Sequence, residues 1–142
     1  MSTGPAAESA GYEYRASVRY LEADQQGVVF NMWYLAYFDE AMTGFLDANH
    51  LPYAVLQAGG HDVQVVHTEL DWRGALRWGD TARVRVRPES VGRTSFTLAF
   101  EVRGDAEDLL VTGRTVYVCI RLDGSGKTAI PDDLRTVLGA DR

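Results

Sequence analysis

A single aspartate, Asp24, lies in a polar stretch directly ahead of a long apolar segment. Its carboxylate can attack a carbonyl carbon and form a mixed anhydride, or it can activate a water molecule as a general base. The first N–H groups of a helix are unpaired and lie at its positive end, where they can stabilise negative charge on a carbonyl oxygen. Gly27 allows the backbone to turn sharply between the carboxylate and such a helix. This order of residues is compatible with attack on an acyl group.

The same residues also have ordinary structural interpretations. An aspartate in a loop before a helix is often a turn or capping residue, and Asn31 is a residue type that favours the N-cap position. Cys119 lies within an apolar strand and is interpreted as a core residue rather than as a nucleophile. No serine has a recognisable partner motif, so Asp24 is the candidate nucleophile or base.

A strand before Asp24 and a helix after it must position its carboxylate. Alternating polar and apolar residues predict a strand over Tyr12 to Tyr20. Residues 32–38 are an unbroken apolar run and predict a helix of about Asn31 to Asn49. Polar residues return only in its second half, so its first half is predicted to be buried on every side. The helix is too short and too polar at its end to span a membrane.

Four further strands are predicted beyond the helix. They cover residues 61–72, 81–87, 95–103 and 109–122, and a last short helix covers residues 131–138. Residues 50–60 are predicted to be a loop. Short turns between the strands favour antiparallel neighbours with one apolar face. We therefore expect an α+β fold in which a five-stranded antiparallel sheet wraps around the long helix.

Length and composition limit the class of protein. A chain of 142 residues predicts one domain, with residues 1–11 as a flexible tail and residues 12–142 as the folded unit. The net charge of −6 argues against nucleic acid as the main partner. One cysteine cannot form an internal disulfide, and the first residues lack the basic start and apolar core of a signal peptide. A cytoplasmic protein that does not enter a membrane is expected.

Residues 18–41, V-R-Y-L-E-A-D-Q-Q-G-V-V-F-N-M-W-Y-L-A-Y-F-D-E-A, resemble the opening signature of a known family. This family is the hotdog-fold acyl-CoA thioesterases of the 4-hydroxybenzoyl-CoA thioesterase type. The resemblance continues through E-L-D-W-R-G-A-L-R-W-G-D-T-A-R-V and G-R-T-S-F-T-L-A-F-E-V to I-P-D-D-L-R, and so covers about Tyr14 to Leu138. It implies hydrolysis of a thioester of coenzyme A or acyl carrier protein to a free acid and a thiol. It also implies a homodimer or homotetramer and no metal or redox cofactor.

The resemblance implies roles for individual residues. Asp24 is the nucleophile or general base, and the backbone N–H of Asn31 polarises the thioester carbonyl. Tyr20 matches an aromatic residue that relatives keep beside the carboxylate, to which it can hydrogen-bond; it can equally be an inward strand aromatic. Many relatives have histidine in place of Asn31, and a small residue followed by asparagine in place of Met32 and Trp33. The bulky pair in this chain is expected to change the shape of the acyl site.

Other residues are expected to bind substrate. His67 on the second predicted strand can approach the bound thioester, although a structural or surface role is also open. The G-R-T-S turn places Arg93 near the path of pantetheine. Glu40 is interpreted as a solvated or dimer-facing residue, although some other hotdog thioesterases use a carboxylate on the central helix. The expected substrate-binding set is Gly27, Met32, Trp33, His67, Arg93, Thr94 and Ser95.

Two other functions are compatible with the same fold. A non-catalytic acyl-CoA sensor would usually have a DNA-binding helical segment ahead of the first strand, and only about a dozen residues precede that strand here. A hydratase or dehydratase resembles a signature with aspartate and histidine close together on the loop into the helix, and no histidine lies between Asp24 and Asn49. The thioesterase function is therefore favoured. The acyl group, the choice between coenzyme A and carrier protein, and the nucleophilic or base role of Asp24 stay open.

Overall fold

The computed structural model of the protein describes residues 11–140, so all but the last residue of the tail predicted over residues 1–11 lies outside the described part. The described part has five strands, three helices and one short 3-10 turn at Tyr20–Glu22. The strands are β1 (Tyr12–Ser17), β2 (His61–Trp72), β3 (Thr81–Val91), β4 (Ser95–Arg103) and β5 (Leu109–Arg121). The helices are α1 (Trp33–Ala48), α2 (Tyr53–Ala58) and α3 (Asp132–Val137).

All five strands form one antiparallel sheet in the order β1-β3-β4-β5-β2. The long helix α1 lies against this sheet and buries one continuous stripe of side chains. The stripe consists of Tyr34, Tyr37, Phe38, Ala41, Met42, Phe45 and Leu46. The predicted α+β hotdog arrangement, a five-stranded antiparallel sheet around a central helix, is confirmed.

Strict alternation in the sequence explains how the sheet faces the helix. The inward residues of β3 and β4 are all buried, and they are Ala82, Val84, Val86, Phe96, Leu98, Phe100 and Val102. The ring of Phe100 stacks on the ring of Phe38 from α1, with centroids 4.3 Å apart and an interplanar angle of 6°. Full burial of one such side chain is worth about 1.5–3 kcal/mol. This contact holds the helix against the middle of the sheet.

Several predicted boundaries differ from those of the structure; β3, for example, ends at Val91 rather than at Arg87. β1 ends at Ser17 rather than Tyr20, because its register with β3 stops where Ser17 faces Thr81, the first residue of β3. α1 begins at Trp33 rather than Asn31, and Met32 occupies the N-cap position that was expected for Asn31. The loop predicted over residues 50–60 contains α2, which follows the extended conformation of Pro52 and buries Leu56.

The first half of α1 is not buried on every side. Met32 is 66% exposed and Leu35 is 40% exposed. On the neighbouring edge strand β2, Val65 and Val66 are 51% and 56% exposed, because a bulge between Val65 and His67 interrupts the alternation. Leu35 and Val65 line the same groove. We call these four residues, Met32, Leu35, Val65 and Val66, the edge patch.

Substitution of a glycine on β5, Gly113, tests how closely α1 approaches the sheet. A Cβ atom added at Gly113 would lie 2.5 Å from Cε2 of Phe38 and 3.0 Å from the carbonyl oxygen of Glu69. We expect Gly113→Ala to lower the free energy of unfolding by about 1–3 kcal/mol, since neither neighbour can move without disturbing the core. Denaturant unfolding measures this change.

Gly44→Ala is the matched control. Its added Cβ would meet the ring and hydroxyl of Tyr12 at 2.6 Å, but that ring is only half-buried on an edge strand and can move. Alanine also favours the helix over glycine by about 1 kcal/mol. A Gly113→Ala protein as stable as the Gly44→Ala protein would contradict the tight packing of α1 on β5.

Candidate active site

Asp24 organises a tight turn between the 3-10 turn and α1. Its N–H donates to the carbonyl oxygen of Val28 at 2.8 Å, and the N–H of Gly27 donates to its carbonyl oxygen at 2.9 Å. Its Oδ1 atom accepts the N–H groups of Gln26 at 2.8 Å and Val28 at 3.4 Å. Gly27 has a φ of 79°, in the left-handed region that favours glycine. The sharp turn expected at Gly27 is present.

The two oxygens of the Asp24 carboxylate have different surroundings. Oδ1 holds the turn, whereas Oδ2 accepts none of the hydrogen bonds found within residues 11–140. The side chain is half-buried. The turn interpretation and the chemical interpretation of Asp24 are therefore compatible. One oxygen fixes the orientation of the group, and the other has no hydrogen-bond partner within residues 11–140.

The start of α1 offers two free amides. The N–H of Trp33 donates to the carbonyl oxygen of Phe30 at 2.9 Å, and the N–H of Tyr34 donates to that of Asn31 at 3.3 Å. In the part of the chain that the structure describes, the N–H groups of Asn31 and Met32 have no hydrogen-bond acceptor. Both residues are exposed. They lie at the positive end of a 16-residue helix, where a carbonyl oxygen that gains negative charge is stabilised.

A buried carboxylate that the sequence analysis did not single out, Glu22, joins the turn to α1. Glu22 is only 4% exposed. Its Oε1 accepts the hydroxyl of Tyr37 and the N–H of Arg19, both at 2.9 Å, and its Oε2 accepts Nε of Arg19 at 2.8 Å. The sequence signal for this cluster is weak. It consists of an Arg19–Glu22 pair three residues apart and one hydroxyl inside an apolar run.

The electrostatics of this cluster favour the charged carboxylate. Burial by itself raises the pKa of Glu22, but the hydrogen bonds from Arg19 and Tyr37 outweigh burial and hold that pKa below its ordinary value. Burial, and then the negative charge of Glu22, raise the pKa of Tyr37 well above its ordinary value. Glu22 is therefore an anion at neutral pH, and Tyr37 is a neutral hydrogen-bond donor to it.

A cleft of about 400 Å³ lies beside this cluster, between β1 and α1. Its walls include Tyr14, Ser17, Arg19, Glu22, Trp33 and Glu40. The guanidinium carbon of Arg19 is 5.9 Å from the ring centroid of Trp33, which is half-buried. Glu40 is exposed and lines this cleft, whereas Asp24 does not line it. The two candidate carboxylates are thus in different surroundings.

Two predicted site residues form no hydrogen bond with the Asp24 carboxylate in the described residues. Tyr20 is 74% exposed and packs edge-on against Trp78, with ring centroids 5.2 Å apart. The expected hydrogen bond from Tyr20 to Asp24 is absent from residues 11–140, because β1 ends early and the chain turns before Tyr20. His67 lies on an exposed part of β2 and pairs with Glu69 at 3.2 Å.

The G-R-T-S turn, residues 92–95, lies far from Asp24 within one chain. Val28, in the Asp24 turn, forms an isolated antiparallel bridge with Arg77, close ahead of the start of β3. β3 then runs for 11 residues, or about 36 Å of extended chain, before the G-R-T-S turn begins. A single chain therefore does not bring Arg93, Thr94 and Ser95 to Asp24. The prediction that Arg93, Thr94 and Ser95 lie along the path of pantetheine stays a prediction.

Residues 11–140 offer little support for a thiol nucleophile, a metal site or a membrane-spanning helix. Cys119 is completely buried, as expected for a core residue, and burial raises the pKa of its thiol to about 11. This described range contains no group of three or more histidine, cysteine, aspartate or glutamate residues that could hold a metal ion. None of its helices has the length and apolar character needed to cross a membrane.

Comparisons with a family model, with curated relatives and with solved structures agree with one another. A model described as the thioesterase-like superfamily matches residues 18–138. The 1,4-dihydroxy-2-naphthoyl-CoA hydrolase of Synechocystis is 24% identical over 129 residues, which are 89% of this chain and 94% of that protein. The crystal structure of a hypothetical protein from Thermus thermophilus, TT1821, is 32% identical with a TM-score of 0.82, and the match covers 89% of this chain and 95% of that one. The crystal structure of a 1,4-dihydroxy-2-naphthoyl-CoA thioesterase from Synechocystis has the same fold, with a TM-score of 0.83, 24% identity and coverage of 90% and 95%.

The low pKa of Glu22 leads to a prediction about acid stability. A carboxyl group whose pKa is lowered by folding stabilises the native state above its unfolded pKa, near 4.5, and this contribution is lost as the pH falls through the folded pKa. We expect Glu22→Gln to lower the free energy of unfolding by about 1–3 kcal/mol at pH 7. The difference from the wild type should shrink below about pH 4, as denaturant unfolding at several pH values would show.

Glu13→Gln provides the control for this substitution. Glu13 pairs with Arg83 and Arg85, and its side chain is 20% exposed against 5% for Glu22. More exposed ion pairs contribute less than about 1 kcal/mol. A Glu22→Gln effect that keeps its pH 7 size well below pH 4 would contradict the ionised state assigned to Glu22.

Proposed function

The chain belongs to the thioesterase-like superfamily and is a thioester hydrolase, and we propose that Asp24 and the start of α1 carry out its reaction. The main support is the open Oδ2 oxygen of Asp24 on the same short hairpin that leads to the two free amides of α1. Ala23 and Val29 form an antiparallel bridge in this hairpin, so its two arms lie side by side. Asp24 follows Ala23 toward the turn, and Asn31 lies two residues beyond Val29, where the hairpin leads into α1.

The chemistry follows from these two groups. The amides of Asn31 and Met32 hydrogen-bond to the thioester carbonyl oxygen and bind it more strongly as negative charge develops. One such donor is typically worth about 3–4 kcal/mol in the transition state. Oδ2 of Asp24 then attacks the carbonyl carbon, expels the thiolate and leaves a mixed anhydride that water hydrolyses. In the other route that this geometry allows, Oδ2 takes a proton from a water molecule that attacks the carbonyl carbon itself.

We propose that the substrate is a thioester of coenzyme A. The name of the Synechocystis hydrolase specifies a CoA thioester, and that relative aligns along 89% of this chain. We also propose that the reaction takes place in the cytoplasm, since the one cysteine, Cys119, is buried and makes no disulfide.

We propose that the protein is a homodimer paired through β2. This strand lies at one edge of the sheet, so its outer N–H and C=O groups have no partner strand in the sheet that the structure describes. The edge patch is apolar and lies beside it, with Val66 56% exposed. Antiparallel pairing of β2 with the same strand of a second copy would cover both features.

Pairing of this kind would also complete the site. β2 is antiparallel to β3, by the order of antiparallel pairs through β5 and β4, so β2 ends at the Asp24 end of the sheet. In a twofold antiparallel pair, the partner's sheet runs in the opposite direction. The G-R-T-S turn of the partner subunit then approaches Asp24 of this chain. Arg93 of the partner subunit could bind a phosphate of coenzyme A there, because a guanidinium matches phosphate geometry.

Replacement of Asp24 by asparagine tests the proposed chemistry. The amide side chain would keep the size of the aspartate and an oxygen that can accept the turn hydrogen bonds, so Asp24→Asn should fold. Loss of the negative oxygen should reduce kcat for a good acyl-CoA substrate by at least about 10²-fold. Release of free coenzyme A, followed with a thiol reagent over a panel of acyl-CoAs, measures this.

Glu40→Gln is the control for this experiment, because it makes the same chemical change on the exposed side of α1. We expect it to remain active. An active Asp24→Asn protein together with an inactive Glu40→Gln protein would transfer the chemistry to the helix carboxylate. A wild type that binds acyl-CoA but releases no thiol would favour a sensor instead.

The dimer is tested by its mass and by one substitution. Light scattering at micromolar concentration should give at least twice the 15.7 kDa of one chain. Val66→Asp places a charge on the edge patch and should shift the protein to the monomer, with loss of activity. Val55→Asp changes an equally apolar residue, 46% exposed on α2, and should leave the dimer intact. A monomeric wild type at this concentration would contradict the proposal.

A further inference from the structure

We propose that Glu22 is a positioning residue, which fixes Asp24 and the start of α1 relative to each other during thioester hydrolysis. This inference rests on the proposed function of Asp24. Glu22 is the one residue in the 3-10 turn that is buried. It lies two positions before the candidate nucleophile or base.

The side chain of Glu22 has no free capacity to bind substrate. Oε1 accepts one hydrogen bond from the hydroxyl of Tyr37 and one from the N–H of Arg19. Oε2 accepts Nε of Arg19 at 2.8 Å and lies 2.8 Å from its Nη2. A carboxylate offers about four lone-pair positions, and all four are used. Glu22 must therefore act through the groups that it holds.

The groups that Glu22 holds belong to both halves of the proposed site. Tyr37 lies one turn after the start of α1, so its hydroxyl connects the carboxylate to the helix that supplies the free amides. The carbonyl oxygen of Glu22 accepts the N–H of Phe30 at 3.0 Å and closes the hairpin that contains Asp24. The side chain thus holds the helix, and the backbone holds the hairpin.

An amide at this position cannot reproduce the network. Glutamine has one acceptor oxygen and one N–H₂ group, whereas all the partners of Glu22 donate hydrogen bonds to it. Of these partners, only the hydroxyl of Tyr37 can also accept a hydrogen bond. In either orientation of the amide, its N–H₂ group faces N–H groups of Arg19. Glu22→Gln therefore loosens the link without removing bulk from the core. Tyr37→Phe breaks only the link to α1 and leaves the Arg19–Glu22 pair in place.

A looser link between Glu22, α1 and the hairpin should reduce the rate of the chemical step more than it reduces the affinity for the substrate. Reacting groups displaced by about 1 Å can cost about 10²-fold in rate. The acyl and coenzyme A parts of the substrate do not bind Glu22, because its oxygens are already paired. We expect kcat to fall at least about 10-fold in Glu22→Gln and in Tyr37→Phe, with KM changed by less than about threefold.

The experiment compares these two variants with Glu13→Gln, which loses an arginine-paired carboxylate on the outer face of the sheet. Steady-state kinetics are measured at a temperature where circular dichroism shows each protein folded. Hydrogen exchange of peptides that cover residues 23–32 is measured on the same samples. We expect faster exchange in both site variants, and kcat and exchange close to those of the wild type in Glu13→Gln.

Several results would overturn the inference. Folded Glu22→Gln and Tyr37→Phe proteins with the kcat of the wild type would do so, and so would an increase in KM at constant kcat. If Glu22→Gln does not fold, Tyr37→Phe decides the question. If Asp24→Asn proves active, or if the wild type cleaves no thioester, the proposed chemistry fails. The exchange of residues 23–32 then still decides whether Glu22 holds the hairpin.

Discussion

The contact of α1 with the middle of the sheet determines where every other part of the molecule can lie. Phe38 stacks on Phe100, and the absence of a side chain at Gly113 lets the ring approach the backbone of β5. A helix held at that point has a fixed axis, so its first residues always emerge at the end of the sheet where β3 begins. Asp24 and the amides of Asn31 and Met32 belong to the hairpin and the helix start near that end. The proposed chemistry therefore depends on a contact between two apolar rings in the core.

The sequence predicts most of the sheet because its alternation is strict. The inward residues of β4 are buried as expected, and β2 has the predicted bounds, since residue type alone indicates a half-buried strand. Alternation does not reveal where a strand loses its partner. The end of β1 depends on the first residue of β3, which is distant in the sequence. The bulge at Val66 also depends on pairing across two strands, and therefore no local pattern predicts it.

The residues of the candidate site also differ in how well the sequence alone identifies them. Asp24 and Gly27 could be found from the sequence, because a turn before a helix has a local signature of residue types. Glu22 could not be found with equal ease, since a lone glutamate usually lies in solvent, and only the fold shows that Tyr37 and Arg19 surround it. The family resemblance suggested a site role for Tyr20, but β1 ends before Tyr20 and its ring packs against Trp78. Arg93 follows β3, an 11-residue strand, so its position relative to Asp24 depends on the fold rather than on a local pattern.

The two oxygens of the Asp24 carboxylate have different roles, one in the turn and one in the proposed reaction. This difference has a consequence for the comparison of related sequences. Its Oδ1 atom stabilises the turn whether or not the protein is an enzyme. A descendant that lost hydrolysis would still benefit from an oxygen at this position, and asparagine or serine could supply it. Aspartate here therefore does not by itself identify a working enzyme. A change to asparagine would be the mark of a lineage that kept the architecture and abandoned the reaction, and such a protein could retain its affinity for thioesters as a binding module.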